Sequence, residues 1–502
     1  MKIIFSFLLA ILSTNGFCQT YVLDNSFATD GRQYFPGNSF EPKNGILLND
    51  NYYIISSDKV IKMDYNGAIS NSFGLNGALS PLPFPNYSMM KITSYNNHLY
   101  LSGCVIVSNA VTDFFVCKID EDGNPDNTFG SNGVVTVDFG ANELISDFII
   151  EPSGKLFCVG ERRVPNAVNS SRMIYFKINT DGTIDNTFDP NGFKSISYNL
   201  ETIGTFITTY EDGYLLVGNS LATSGDLNRP LLLVKVDSNG NLMSDFGISG
   251  IKSKPIQNLS ILNWTENHVL YNNKLYLNGL YTMGFVGQPG SLLIYDLGTD
   301  EVNYHHRDYG TTHFDVFDDG VFLTGYWKFC GGNSVYQCQS KFNLSKKHFD
   351  GTTDTNFQNN SVYEYEFPNN IDTNNQSCFF IRDNSGKFLI VAYSNMYSNL
   401  SVETEGLSMI RIKEGVLDVS NPVDKSTVSI YPNPFEDKVI IDSDESIIKL
   451  ELFDLSGRKF SEPRFAQKNG GIVDLSHLEA STYFLKIWFE DGSIITKKMM
   501  RK

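Results

Sequence analysis

Three groups of residues in this 502-residue chain have types and spacings suited to chemistry. The run Asp120-Glu121-Asp122-Gly123-Asn124-Pro125-Asp126 sets carboxylates at alternate positions around a glycine, as a loop wrapping a hard cation does, with Asp120, Asp122 and Asp126 as candidate ligands. The competing use is a hairpin turn in which Asx and Gly supply left-handed backbone. That use is favoured because sibling stretches keep the turn and lose the charges, so calcium is admissible but not favoured and no other cofactor is expected. His305, His306 and His313 are grouped, but no helix or hairpin fixes a metal-ligand spacing, and a surface position is the better reading. Asp138, Glu143, Glu201 and Glu266 fall between strands, where two carboxylates roughly 5 to 9.5 Å apart would suit glycoside hydrolysis; nothing in the sequence pairs them. Neither a GxSxG elbow, nor HExxH, nor a phosphate-gripping glycine loop stands out.

The elements that must position these residues are repeats. The acidic run continues into DGNPDNTFGSNG from Asp122, which recurs as NGAISNSFGLNG from Asn66, DGTIDNTFDPNG from Asp181, NGNLMSDFGISG from Asn239 and DGTTDTNFQNN from Asp350. A back half alone, LDNSFATDG, begins at Leu23. Before it stands a strand with a cation, apolar, Asx triplet: Lys62-Met63-Asp64, Lys118-Ile119-Asp120, Lys177-Ile178-Asn179, Lys235-Val236-Asp237 and Lys341-Phe342-Asn343, with Ile294 and Arg411 at the cation position of the fifth and last copies. Each lysine is expected to lay its stem on the sheet, with its head in water or against a nearby Asx. Earlier in each unit an apolar run ends in a small residue, as at Leu99 to Gly103 or Phe388 to Ala392, and seven such runs occur.

Four short antiparallel strands per unit describe one blade of a β-propeller. Seven blades is the expected count; six or eight stays open because the fifth copy is degenerate, with Tyr309-Gly310 in place of Phe-Gly. The seventh copy stops after its third strand, and the missing half sits at the other end of the chain as Leu23 to Phe27 and the strand near Gln33 to Phe35. An N-terminal strand completing the last blade would close the ring. The fold class is therefore all-β, a seven-bladed propeller of four-stranded blades followed by a small C-terminal β-sandwich.

Composition agrees. Charged residues make up 19% and aromatics 13%, with 41 glycines, as short strands and many turns require. A formal net charge of -17 opposes binding to nucleic acid or anionic lipid. Lys2, the apolar run Ile3 to Leu12 and the polar stretch ending Phe17-Cys18-Gln19 have the order of a secretory signal peptide. Cleavage after Cys18 is favoured over lipidation of Cys18, because Phe17 is bulky. No other apolar run is long enough to span a bilayer, so no transmembrane segment is expected. The divisions are a signal peptide at 1–18, the propeller at 19–413, a turn-rich linker at 414–427 and a separate unit at 428–502. Export permits disulfides, and Cys330 with Cys338, and Cys104 with Cys117, are the plausible pairs.

The LDxSFGxxG-like element resembles the delta-60 repeats of exported bacterial proteins, for which a propeller is expected. The last 75 or so residues closely resemble the C-terminal sorting domain of type IX secretion cargo in the Bacteroidetes. The match rests on Tyr431-Pro432-Asn433-Pro434, Leu455-Ser456-Gly457-Arg458, Asp474-Leu475-Ser476, Tyr483 to Ile487 and the basic end Lys497, Lys498, Arg501 and Lys502, with Ser481 where a glycine is common. That resemblance implies the type IX machinery as partner, passage across the outer membrane and removal of the domain. The product would be secreted or attached to the outer-membrane surface.

Function is sought where the copies disagree. The links from second to third strand and from fourth strand to the next blade are long and variable, as binding loops on a rigid scaffold are. In blades five to seven they carry Trp264, Tyr281, Phe285, Tyr326, Trp327, Phe329, Tyr393 and Tyr397, aromatics that can stack on sugar rings or anchor a protein, or else cap the blades. The expected function is an exported, monomeric binding protein that contacts an extracellular glycan or protein. The competing class is an extracellular polysaccharide hydrolase or lyase with its site at the channel mouth.

Overall fold

The computed structural model describes residues 20–36, 40–80, 86–108, 111–165, 167–222, 229–256, 259–260, 268–281, 291–305, 310–326, 329–330, 338–339, 341–358, 361–365, 372–398, 401–415, 428–443, 446–454, 459–461, 470–489 and 494–502. The stretch expected to be a signal peptide, Trp264, Phe285, Trp327 and Gly457 lie outside them. Every regular element among the described residues is a strand. The chain divides into two units, Met1–Glu414 and Gly415–Lys502.

In the first unit, strands that follow one another in the chain pair antiparallel, and they build seven sheets of four or five strands among the described residues. Sheet 1 holds Asn44–Leu48, Asn51–Ile55, Val60–Asp64 and Ala78–Leu79; sheet 2 holds Tyr87–Tyr95, His98–Ser108, Val111–Asp120 and Val134–Val137. Sheet 3 runs from Asn142–Ile150 through Leu156–Arg163 and Arg172–Ile178 to Lys194–Ile196, and sheet 4 from Glu201–Tyr210 through Gly213–Leu221 and Leu231–Val236 to Ile251–Lys254. Sheets 5 and 6 have Lys274–Tyr281 and Gly320–Tyr326 as second strands, and Ser291–Asp296 and Phe342–Lys347 as third strands.

The middle strands are apolar without alternation because both of their faces are buried. In sheet 2, Leu99 and Leu101 belong to the core shared with sheet 1, while Tyr100 between them belongs to the core shared with sheet 3. The same holds around the unit: successive clusters join sheets 1 to 2, 2 to 3, 3 to 4, 4 to 5, 5 to 6 and 6 to 7. A further cluster containing Phe27, Tyr52, Met63, Phe379 and Met409 joins sheet 7 back to sheet 1.

Sheet 7 contains Asp372–Arg382, Phe388–Ser398 and Ser401–Gly415, and the free edge of Ser401–Gly415 is covered by Thr20–Leu23 and Arg32–Pro36. Tyr34 lies opposite Ser408 in this pairing. Between the two N-terminal strands, Asp24 and Arg411 fasten the seam. The Asp24 amide donates to the Arg411 carbonyl at 2.8 Å, and Arg411 Nε donates to Asp24 Oδ2 at 2.9 Å. Both side chains are buried, Lys387 Nζ stands 2.9 Å from the same carboxylate oxygen, and the guanidinium lies over the rings of Phe27 and Tyr65. Burial by itself raises the Asp24 pKa. Hydrogen bonds from Lys387 and Ser26, with the Arg411 charge, outweigh it and hold the carboxyl well below the ordinary range.

The same device recurs inside the chain. Lys118 meets Asp126 at 2.6 Å and lies over Tyr100 and Phe129; Lys235 meets Asp245 at 3.5 Å and Lys346 meets Asp354 at 3.7 Å. Lys177 instead meets Glu151 at 2.6 Å, over Phe157 and Phe188. Lys118, Lys235 and Lys346 thus have a nearby Asx as expected, whereas Lys177 is held by a glutamate, and the sixth copy needs correcting. The amide of Asp354 donates to the carbonyl of Lys346, just as Asp126 does to Lys118 and Asp185 to Lys177, so the repeat position is Lys346, not Lys341. The fifth copy also differs from expectation. Gly310 opens the first strand of sheet 6, and the third and fourth strands of sheet 5 meet through a tight turn, Asp296 opposite Glu301.

The second unit packs a three-stranded sheet, Val428–Tyr431, Lys438–Ser443 and Gly470–Asp474, with a four-stranded one, Lys459–Ser461, Ile447–Phe453, Thr482–Phe489 and Ile494–Met500. Their shared core contains Phe435, Val439, Leu452, Leu485 and Met499.

Replacing Asp24 by Asn leaves Arg411 buried without its counter-charge, and is expected to lower the stability of the first unit by about 3 kcal/mol, read as the urea midpoint at pH 7. Because the native pKa is lowered, the Asp24 contribution is complete above about pH 4 and is lost as the pH falls further. The difference between wild type and Asp24→Asn should therefore shrink in acid; a constant difference would refute the pairing.

Candidate functional site

The residues singled out by sequence separate sharply in space. Asp120 accepts from the amides of Asp122 and Asn124 at 2.9 and 2.8 Å and from Asn124 Nδ2 at 3.0 Å, so it caps its own turn. Asp126 is taken by Lys118 and by Thr128, and Asp122 stands 3.5 Å from Lys62. These acids serve the hairpin and the seam between sheets 1 and 2. His313 is half-buried against Phe380, ring centroids 4.9 Å apart, and burial pushes its pKa down to about 3. His305 ends the fourth strand of sheet 5, and His306 lies outside the described residues.

The carboxylates of the links behave otherwise. Asp113 enters the third strand of sheet 2 from the link that precedes it. Asp138 follows the fourth strand of that sheet, and Glu143 lies in the first strand of sheet 3, so the crossover between the sheets carries both. The three present oxygens that all lie within 4.8 Å of one another, the group of this kind among the described residues. Local structure brings this about. Asp138 Oδ1 accepts from the Gly140 amide at 2.7 Å, closing a turn that Gly140 makes at φ +80°. Antiparallel pairing sets Glu143 opposite Arg162, whose Nε and Nη2 both donate to the Phe139 carbonyl, at 3.2 and 2.9 Å. The guanidinium lies 5.6 Å over Phe193, which packs on Phe139.

The electrostatics are unusual. Glu143 is 0% exposed and Asp113 5%, whereas Asp138 is exposed. Neither oxygen of Glu143 makes a hydrogen bond, nor does Asp113 Oδ1. Burial, joined by the charges of Asp113 and Asp138, raises the Glu143 pKa to about 7, against the opposing pull of the nearby Phe139 backbone and of Arg162, whose Nε stands 3.4 Å from Oε1. Burial and Asp138 likewise raise the pKa of Asp113. Of the four link carboxylates named from sequence, two therefore converge. Glu201 instead pairs with Arg229 at 3.1 Å, and Glu266 lies outside the described residues. Asp113 was missed; the signal available was an acid directly after a variable link, at the edge of an otherwise apolar strand.

The aromatics are placed in part. Tyr281, Tyr326 and Tyr393 follow by one or two residues the small residue (Gly279, Gly325, Ala392) in the second strands of sheets 5, 6 and 7, and Tyr393 is half-buried. Tyr397 lies further along the last of these strands, opposite Asp372. Phe329 and Cys330 form a two-stranded hairpin with Cys338 and Gln339, in which Cys330 is the direct partner of Cys338. The Cys104 to Cys117 pairing is corrected: register sets Cys104 opposite Phe114 and Cys117 opposite Leu101, three residues out of step, and both are free thiols.

In the second unit the Tyr431 to Pro434 segment is stitched to the chain's last strand. Asn433 Nδ2 donates to the Lys498 carbonyl at 2.9 Å, and Asn433 Oδ1 accepts from the Met500 amide at 2.9 Å. Arg501 reaches the Glu436 carbonyl and Asp437, while Tyr431 and Lys498 are exposed and Lys497 is half-buried.

A small β-sandwich clasped in this way closes the described chain. Residues 429–502 match the family described as "Secretion system C-terminal sorting domain", and this type IX sorting domain directs the chain to the cell surface or to secretion. No curated protein matches the sequence. Among solved structures, the chain is similar to a puromycin hydrolase mutant (10% identity, TM-score 0.40, covering 89% of this chain) and spans 59% of that protein's length. It is also similar to polysaccharide lyase Uly1 (9%, 0.43, covering 75% of this chain and 92% of that one). A third is PorZ of Porphyromonas gingivalis, a surface component of the type-IX secretion system (8%, 0.21, covering 94% and 100%).

Peptide mapping of the unreduced protein is expected to recover Cys330 joined to Cys338. Cys117 and Cys158, both fully buried, should alkylate only after unfolding. A Cys104–Cys117 cross-link would contradict the register.

Proposed function

We propose that this chain is type IX cargo whose first unit is a seven-bladed β-propeller that binds an extracellular glycan or protein through its link face. The sorting domain at residues 429–502 carries the reading, since it sets where the molecule works. The propeller is supported by cores shared between successive sheets and returning from sheet 7 to sheet 1. Binding at the link face is supported by its composition. Ile106, Val107, Val164 and Val168 stand exposed in or next to the links from second to third strand, and the Phe329–Cys330 hairpin occupies the corresponding link of sheet 6. After sorting, the tail is removed and the propeller is released or held at the surface.

A second reading, a polysaccharide hydrolase or lyase, draws on the convergence of Asp138 and Glu143. Glu143 and Asp113 are buried rather than open to a sugar chain, and binding is favoured on that ground.

Deleting Val428 to Lys502 is expected to hold the protein in the periplasm, followed by fractionation and immunoblot; unimpaired export of the shortened chain would sink the sorting assignment. On a glycan array, the propeller should retain ligands that Trp327→Ala loses. Equal binding by the two would remove that residue from the site, and sugar cleavage by the wild type would favour the enzyme.

A further inference from the structure

We propose that Asp113, Asp138 and Glu143 form a calcium site that ties the link preceding the third strand of sheet 2 to the crossover into sheet 3. This is independent of which glycan or protein the link face binds. The geometry is that of a first coordination shell. Three carboxylate oxygens within 4.8 Å of one another can all reach a single cation at the roughly 2.3 to 2.6 Å typical of calcium.

The second observation concerns the buried acids themselves. Glu143 is completely enclosed, yet neither of its oxygens has a hydrogen bond, and Asp113 Oδ1 is enclosed and unsatisfied beside it. Buried carboxylates in this condition are costly unless a cation or a proton completes them. Arg162 does not do so, because its guanidinium is committed to the Phe139 carbonyl and to Phe193 and touches Glu143 only at 3.4 Å. Three carboxylates against that one guanidinium leave two formal negative charges, which a dication neutralises.

The donor set selects the metal. It offers oxygen alone, with no His or Cys in the group, so a hard cation suits it better than zinc or copper. The ligands come from a strand edge, a turn and the neighbouring sheet, an irregular set that calcium accepts and octahedral magnesium does not. Exposed Asp138 gives the ion its way in. The Asp120 loop supplies the contrast, because its carboxylates already hold amides and lysines.

The test uses the purified full chain, freed of metal with chelator and titrated calorimetrically with CaCl2, with MgCl2 as a parallel arm and thermal unfolding as a second readout. One calcium ion per chain is expected, at an affinity in the range of about 0.1 to 1 mM seen for extracellular calcium modules, with a rise of several degrees in the unfolding midpoint. Asp113→Asn and Glu143→Gln should each weaken binding on the order of 10-fold or more, while unfolding in chelator at or above the wild-type midpoint, since each removes like-charge repulsion. Asp138→Asn, at the exposed corner, should weaken binding equally and leaves no buried group behind, so it serves if the buried variants misfold. Asp120→Asn should bind like wild type. No uptake of CaCl2, an equal midpoint rise with MgCl2, or calcium affinity unchanged in Asp138→Asn and Glu143→Gln would overturn the site.

Discussion

The first unit depends on a pairing between residues 387 positions apart in the chain. Without Thr20–Leu23 and Arg32–Pro36, Ser401–Gly415 would present an open edge, and sheet 7 would lack the Phe27 ring that packs between it and sheet 1. Sheets with two apolar faces need two neighbours each, so a linear row would leave an apolar face bare at either end. Arg411 and Asp24 fasten the junction where that requirement is met.

The seam follows the same rule as the junctions inside the chain. A cation on the third strand lies over the phenylalanine of the next turn, and an acid nearby takes its charge, as Lys118, Phe129 and Asp126 do. Each such contact is worth only about 0.5 to 2 kcal/mol, but it is made with groups that leave no buried charge unpaired. The crowded acids of the repeated turns are therefore consumed by the architecture. That is why the calcium-like loop at Asp120 does not behave as a free ligand set, and why unspent carboxylates appear in the links instead. Asp113, Asp138 and Glu143 lie where the copies differ, and there no repeated lysine answers them.

Much of the fold was legible in the sequence because its causes are local. The Asx-Gly turns, the apolar second strands and the divided last copy appear in the structure where spacing put them, and the Tyr431 to Pro434 motif marked the tail. The lysine of the sixth copy was misread at Lys341 because the link ahead of it is long and shifts the apparent register, whereas a single hydrogen bond from Asp354 to Lys346 settles it. The Cys104 and Cys117 pairing failed for the same kind of reason: two residues on adjacent strands are partners only if the register says so, and here it is off by three.

By itself the sequence determined the kind of element that recurs and the presence of a sorting tail, since turn chemistry, two-faced burial and a sorting motif are written in consecutive residues. Only the tertiary structure decided which acids are free. Whether a carboxylate is capped, paired or left enclosed depends on groups that pairing and packing bring to it, such as Arg162 of the adjoining strand beside Glu143 and Lys62 of the neighbouring sheet beside Asp122. Spacing along the chain fixes a residue's place on its own strand, but the charge it meets there is set by the adjoining strand or the neighbouring sheet.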